Sequence, residues 1–377
     1  KLPKSEFDES GVTVRRLLSH TAGLSLHGYP GFGPDDELPT IEASLSGDTN
    51  GSEDVRLIME PGTQWKYSGG GYTMLQLLVE EVTGRSFADY MLDAVLRPLG
   101  MTRSNYTLTP EILAGSAEAY DEFGEPTPNP RFTAQAAAGL HTTVHDLATF
   151  AAAGLSQSSE DPGRGVLKPE TVKLMIAPAP ASDGNYGLGY GISTFDDGKA
   201  VVGHGGANRG WHATFQIVPE TGSGIVVVTN GSNGWGVHQQ IYCDWVGLET
   251  RSRPKCPVPI RFPVVAKLGA EGGEAAVRHY KYLKANDFDT YNWNEYALNG
   301  IGYMLLGRDR AQDALEIFKL NVDEYPEAWN PYDSLGEAYL ILGNEELAIA
   351  NYERSLELNP ENANAAAVLK RLRGEGK

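Results

Sequence analysis
The feature that most limits the fold is a repeat. Gly302 and Gly336, Ala314 and Ala348, Phe318 and Tyr352, and Pro326 and Pro360 each stand 34 residues apart near the end of the chain. Small, aromatic and proline positions sharing one interval mean that a structural unit has been copied. Small residues let paired helices touch, and proline closes a unit because it cannot continue a helix. Residues 274–291, with Ala276, Tyr280 and Leu283 on one helical face, read as a degenerate half-repeat capping the stack. Residues 274–377 are therefore expected to be all helix, each unit burying its apolar face on the next.

Upstream the pattern changes. Pro254, Pro257, Pro259 and Pro263 interrupt any regular period, so 251–273 reads as a Pro-rich linker. Residues 1–250 form a separate α+β domain. Val14, Leu17 and Leu18 share one face of a short helix. Tyr72, Leu75, Val79 and Val82 recur at helical spacing and stop at Thr83-Gly84, and Phe87, Tyr90, Met91 and Ala94 open another helix. Thr143 and Asp146 fit a capping box ahead of Leu147 and Phe150. The period then falls to two. Residues 191–195, 199–204, 212–218 and 224–229 read as successive strands of an antiparallel meander, joined by Asp196-Asp197-Gly198, a Gly-rich loop over 205–210, and 220–223. Val237, Ile241 and Trp245 place a last helix over one sheet face.

A formal net charge of −18, spread over the whole chain, argues against a nucleic-acid partner, whose phosphates need a basic face. No apolar run is long enough for a membrane span. The Gly-rich runs lack Gly-Lys-Ser/Thr, so nothing points to a phosphate-bound cofactor, and His141 and His145 straddle a helix start in a way that does not make a metal pair. Cys243 and Cys256 read as unpaired, non-catalytic thiols, with a disulfide as the alternative. The chain opens Lys1-Leu2-Pro3-Lys4, without initiator Met, so the natural N-terminus is expected upstream.

Separated motifs, in order, carry a resemblance. "VTVRRLLSHTAGL", "PGTQWKYSGGGYTMLQLLVEEVTG", "AAGLHTTVHDLATF" and "GHGGANRGW" together resemble the serine β-lactamase-related family of class C β-lactamases, D-alanyl-D-alanine peptidases and related esterases. The 34-residue repeat resembles tetratricopeptide repeats. The implied fold is a β-lactamase/DD-peptidase-like antiparallel sheet with flanking helices, followed by an all-α tetratricopeptide domain. The resemblance implies hydrolysis of an ester or peptide-like acyl substrate through an acyl-serine, without a metal or other cofactor. It also implies a place in the bacterial periplasm or outside the cell.

A serine hydroxyl is a poor nucleophile until a base takes its proton. In the family a Lys one helical turn beyond the Ser does this, with a Tyr phenol opposite. Tyr67 matches that Tyr. With an ordinary pKa near 10, it serves as a base only if nearby positive charge favours phenolate, the missing Lys and His204 being the candidates. His204 stands where many members have the Lys of Lys-Thr-Gly and would orient Tyr67. Gly206 would let substrate lie flat against the strand, and the Ala207 amide would be one of two oxyanion donors.

Two departures stand out. Gly69 replaces the Asn that holds a substrate carbonyl, which implies a preference for esters over amides. The only Ser-x-x-Lys string is Ser252-Arg253-Pro254-Lys255, whose internal proline makes it unlike a nucleophile helix. The nucleophile is thus expected upstream of residue 1, and the chain alone is expected to be inactive. The competing reading is an inactive hydrolase-like domain whose repeats bind a peptide or protein partner.

Overall fold
A computed structural model describes residues 3–47, 49–155, 163–252 and 254–374. Lys1 and Leu2, and Arg253 of the rejected Ser-x-x-Lys string, lie outside the described residues. The chain divides into two compact units, one of residues 1–121 and 126–254, the other of 122–125 and 255–377.

In the first unit, Thr13 caps α1 (Val14–Leu18) by accepting from the Arg16 amide at 3.3 Å. Ser68 caps α2 (Gly69–Thr83) by accepting from the Gly71 amide at 3.1 Å. The run Gly69-Gly70-Gly71 is therefore the first turn of a helix rather than a loop. Close packing explains the glycines: a Cβ on Gly70 would stand 2.6 Å from a Val55 methyl. Helix α2 buries Thr73 and Gln76, whose amide donates to the Thr133 carbonyl at 3.0 Å and accepts from the Ala136 amide at 3.1 Å. Val82, expected on the apolar stripe, is exposed. A short helix, Ile41–Ser46, is capped by Thr40, whose hydroxyl accepts from the Ala43 amide at 3.2 Å.

Thr143 caps α3 (Val144–Ala153), as its capping box predicts. The sheet follows as β1 (Gly191–Thr194), β2 (Ala200–Asn208), β3 (Trp211–Val218) and β4 (Ser223–Thr229), an antiparallel meander in chain order. Alternation splits β2 between two faces. Val202 packs with Phe215 and Ile217 against Leu147 and Ala151 of α3. Val201 packs with Val218 and Phe195 against Trp245 of α4 (Gly234–Thr250). Two expectations fail here. Strand β2 runs on through the glycines to Asn208, because each residue from His204 onward has a partner on β3, ending at Asn208↔Trp211. And α4 does not bury Val237 and Ile241. His238, bonded to the Thr229 hydroxyl at 3.1 Å, and Trp245 face inward instead. Neither cysteine is free: Cys243 and Cys256 are disulfide-bonded, which corrects the reading of unpaired thiols.

The second unit corrects the linker. Residues 261–271 form α5 (Arg261–Glu271), with Val264, Val265 and Leu268 fully buried. Pro263 sits in the first turn, where a missing amide costs no hydrogen bond. Then come α6 (Gly273–Asn286), α7 (Glu295–Leu306), α8 (Ala311–Glu324), α9 (Trp329–Ile341), α10 (Glu345–Leu358) and α11 (Ala363–Leu372). The 34-residue interval has a steric cause. Gly302 of α7 lies against the Phe318 ring of α8, where a Cβ would come within 2.2 Å. One interval on, Gly336 of α9 lies against the Tyr352 ring of α10, with 3.1 Å for the same atom. Ala314 and Ala348 are both fully buried at the corresponding place on the second helix of each pair.

Candidate active site
Tyr67 is placed by the backbone on either side of it. The Lys66 amide donates to the His20 carbonyl at 2.8 Å, the Ser68 amide to His20 Nδ1 at 3.1 Å, and the Gly69 amide to the His27 carbonyl at 3.0 Å. The Ser68 hydroxyl donates to the Ser25 carbonyl at 2.5 Å. The phenol is thus presented by an irregular segment just ahead of α2 whose backbone is hydrogen-bonded on either side of Tyr67.

His204 arrives from the sheet. By strand alternation it shares a face with Val202 and with Phe215, its partner across β3. Its ring centroid lies 6.1 Å from that of Tyr67 and 6.2 Å from that of Tyr186. These three side chains, with Trp65, Gln64, Asn185, Gly205 and Gln216, line a pocket of about 660 Å³.

Other members of the cluster carried no separate signal. His20 packs on Tyr67 with ring centroids 4.1 Å apart, and His27 lies 4.7 Å away. Tyr72 donates its hydroxyl proton to the Leu18 carbonyl at 2.9 Å and has its ring 5.1 Å from His20. Trp65 and Tyr186 are 5.7 Å apart. His20 stands in a quoted motif, but its role depends on a left-handed backbone turn, φ 55, that composition does not reveal. Tyr186 lies outside all of the motifs.

The electrostatics alter the expected mechanism. Burial raises the Tyr67 phenol above its ordinary pKa and lowers His204 below its own. Burial, then the charges of His204 and His27, pull His20 down to about 3. His204 is therefore neutral near neutral pH and cannot be the positive charge that would make Tyr67 a phenolate. Tyr67 stands here as an intact phenol.

The remaining expected residues fall elsewhere. Gly69 is buried in the first turn of α2, its absent Cβ 2.8 Å from the His27 carbonyl oxygen, and it does not line the pocket. Gly206 and Ala207 lie on the exposed run of β2; Gly205 lines the pocket and they do not. The structure brings together Tyr67 and His204 and leaves the other three apart from the pocket wall.

The sheet is packed between helices, and a Tyr before one helix meets a His on a central strand over a pocket. Residues 2–241 match the family model described as Beta-lactamase, and the chain belongs to that family. It is 28% identical over 285 residues to Penicillin-binding protein 4 of Amycolatopsis lactamdurans, covering 70% of this chain and 73% of that one. It is 27% identical over 234 residues to a human beta-lactamase-like protein, covering 59% of this chain. It is also similar to the solved structure of an octameric penicillin-binding protein homologue from Pyrococcus abyssi. That match has TM-score 0.50 and 25% identity and covers 67% of this chain. The chain spans 44% of the human relative's length and 58% of the archaeal chain's.

Proposed function
We propose that this chain supplies most of the active site of a serine hydrolase that cleaves an ester or peptide-like acyl substrate through an acyl-serine, the nucleophile coming from a Ser-x-x-Lys segment not contained in these residues. The observation that carries the reading is the meeting of Tyr67 and His204 on one pocket wall. Because Tyr67 is an intact phenol, it acts as a relay. As the serine oxygen attacks the substrate carbonyl carbon, the serine proton passes to Tyr67 Oη while the phenol proton passes to the leaving oxygen or nitrogen. Tyr67 ends as it began, and water reverses the path to release the acid. His204 orients the phenol from the sheet, and the Ala207 amide, two residues beyond the pocket-lining Gly205 on the exposed run of β2, would serve as oxyanion donor only to a substrate that extends along that strand past the pocket wall. The preference for esters over amides loses its basis, since Gly69 does not face the pocket.

A serine-directed fluorophosphonate tests this. The protein bearing the Ser-x-x-Lys segment should be labelled once, at that serine, and the 377-residue chain should not be labelled. Labelling of the 377-residue chain at any serine would sink the mechanism.

A second reading has one observation behind it. Ser252-Arg253-Pro254-Lys255 is the sole Ser-x-x-Lys string in the sequence. On that reading the chain is a hydrolase-like binding protein whose tetratricopeptide-type helices hold a peptide or protein. Failure of the longer protein to label would favour it.

A further inference from the structure
We infer that His20 is the positioning residue for Tyr67, a brace that holds the phenol in place without itself exchanging a proton; this rests on the reading of Tyr67 as the proton relay. The grip is two-sided. The His20 carbonyl accepts the amide before Tyr67, at 2.8 Å, and His20 Nδ1 accepts the amide after it, at 3.1 Å. Between these bonds the imidazole lies against the phenol, centroids 4.1 Å apart and planes tilted by 34°. Among the described residues, no other ring holds Tyr67 in this way. His27 is 4.7 Å away but exposed, and His204 is 6.1 Å away.

Accepting at Nδ1 fixes the tautomer, so the proton sits on Nε2. That nitrogen is buried and has no hydrogen-bond partner among the described residues. The rings of Tyr72 and Tyr186 pack on the imidazole, with centroids 5.1 and 5.0 Å from its own, and Trp65 lies edge-on at 6.2 Å. A buried unpaired N–H is costly, so stability alone would favour an apolar residue here. The His20 backbone is also in the left-handed region, at φ 55, which is unfavourable for a residue with a Cβ. A position that bears both costs calls for an explanation outside packing, and an acceptor for the Ser68 amide on a flat ring shaped to the phenol provides one. Burial keeps the ring uncharged, which suits a brace and not an acid or base.

Two variants separate the parts of the brace. His20→Asn keeps an acceptor for the Ser68 amide and loses the ring; His20→Phe keeps a ring and loses the acceptor. In the 377-residue chain labelled with [13Cζ]tyrosine, the Tyr67 signal is assigned by its loss in Tyr67→Phe. Both His20 variants should shift that signal, and His20→Asn should bring its titration back toward the ordinary tyrosine range. A Tyr67 signal and titration unchanged in His20→Asn overturn the inference, even if His20→Phe does not fold. In the protein bearing its nucleophile, His20→Asn should lower kcat about 10- to 100-fold with KM within about threefold, as a misplaced relay does. It should add no further loss to Tyr67→Phe. Equal losses in both backgrounds would show that His20 acts on something other than Tyr67. If Tyr67→Phe itself retains full turnover, the relay reading fails instead, and the NMR result still reports on the brace.

Discussion

Acid should unfold the first unit through His20 before most of its carboxylates matter. The native state holds His20 uncharged, with its pKa pulled from 6.5 to about 3. An unfolded chain takes up that proton as pH falls through 6.5. The contribution is therefore fully present above 6.5 and is lost on acidification toward the folded value. Between neutral pH and about pH 4.5 the unfolded state gains nearly one proton that the native state refuses, over about two pH units, worth about 2.5 kcal/mol. A folded value one unit higher would leave that figure almost unchanged, because the native imidazole would still be mostly neutral at the lower pH. The assay is urea denaturation of wild type and His20→Asn at both pH values, following hydrogen exchange of the Ser68 amide to report on this unit. Wild type should lose about 2.5 kcal/mol more than the variant on acidification. Parallel losses would refute the reasoning, for they would mean that His20 takes up its proton equally in both states.

Three further outcomes can be checked directly. Tyr67→Phe in the protein bearing its nucleophile should lower kcat at least ~100-fold with little change in Tm, and a near-normal rate would place the phenol in a packing role. Gly69→Asn should destabilise by about 1–3 kcal/mol in urea melts, since its Cβ would sit 2.8 Å from the His27 carbonyl oxygen, and should not improve amide hydrolysis. Gly302→Ala should destabilise the helical unit more than Gly336→Ala in thermal melts, because the added atom meets the fully buried Phe318 ring at 2.2 Å in the first case and the Tyr352 ring at 3.1 Å in the second. Equal effects would mean that the two helix pairs pack differently from the structure.

The sequence disclosed what periodicity and motif order can encode. Val201 and Val202 belong to opposite faces because a strand alternates, and the 34-residue interval marks where Gly302 and Gly336 meet aromatic rings. Tyr67 and His204 were found through their motifs and do share a pocket. Other features depend on the tertiary setting. Glycines usually weaken a helix, so nothing in the sequence marks the start of α2 at Gly69; it depends on Val55 and the His27 carbonyl, which leave no room for a Cβ at Gly70 and Gly69. Pro263 concealed α5 because a proline looks the same in a first turn as in a linker. The α4 stripe of Val237 and Ile241 misled because a bonded His238 turned a different face inward. His20 could not be ranked from its motif, since its importance comes from what lies on either side of Tyr67, 47 positions away.

Strand β1 pairs with β2 only from Ala200 to Gly203, so from His204 to Asn208 one side of β2 has β3 beside it and, among the described residues, no strand on the other. An uncovered strand edge invites another chain to add to it, the first step toward aggregation. On the proposed function, substrate enters beside this strand, and the edge must then stay open. Gly205 and Gly206 occupy that stretch, and glycine has low strand propensity and no side chain to anchor an added strand. The molecule's net charge of −18 keeps copies apart. The glycines beside His204 therefore do for solubility what lysines or a covering helix do at other sheet edges, and replacing them with valine would make the protein prone to fibrils.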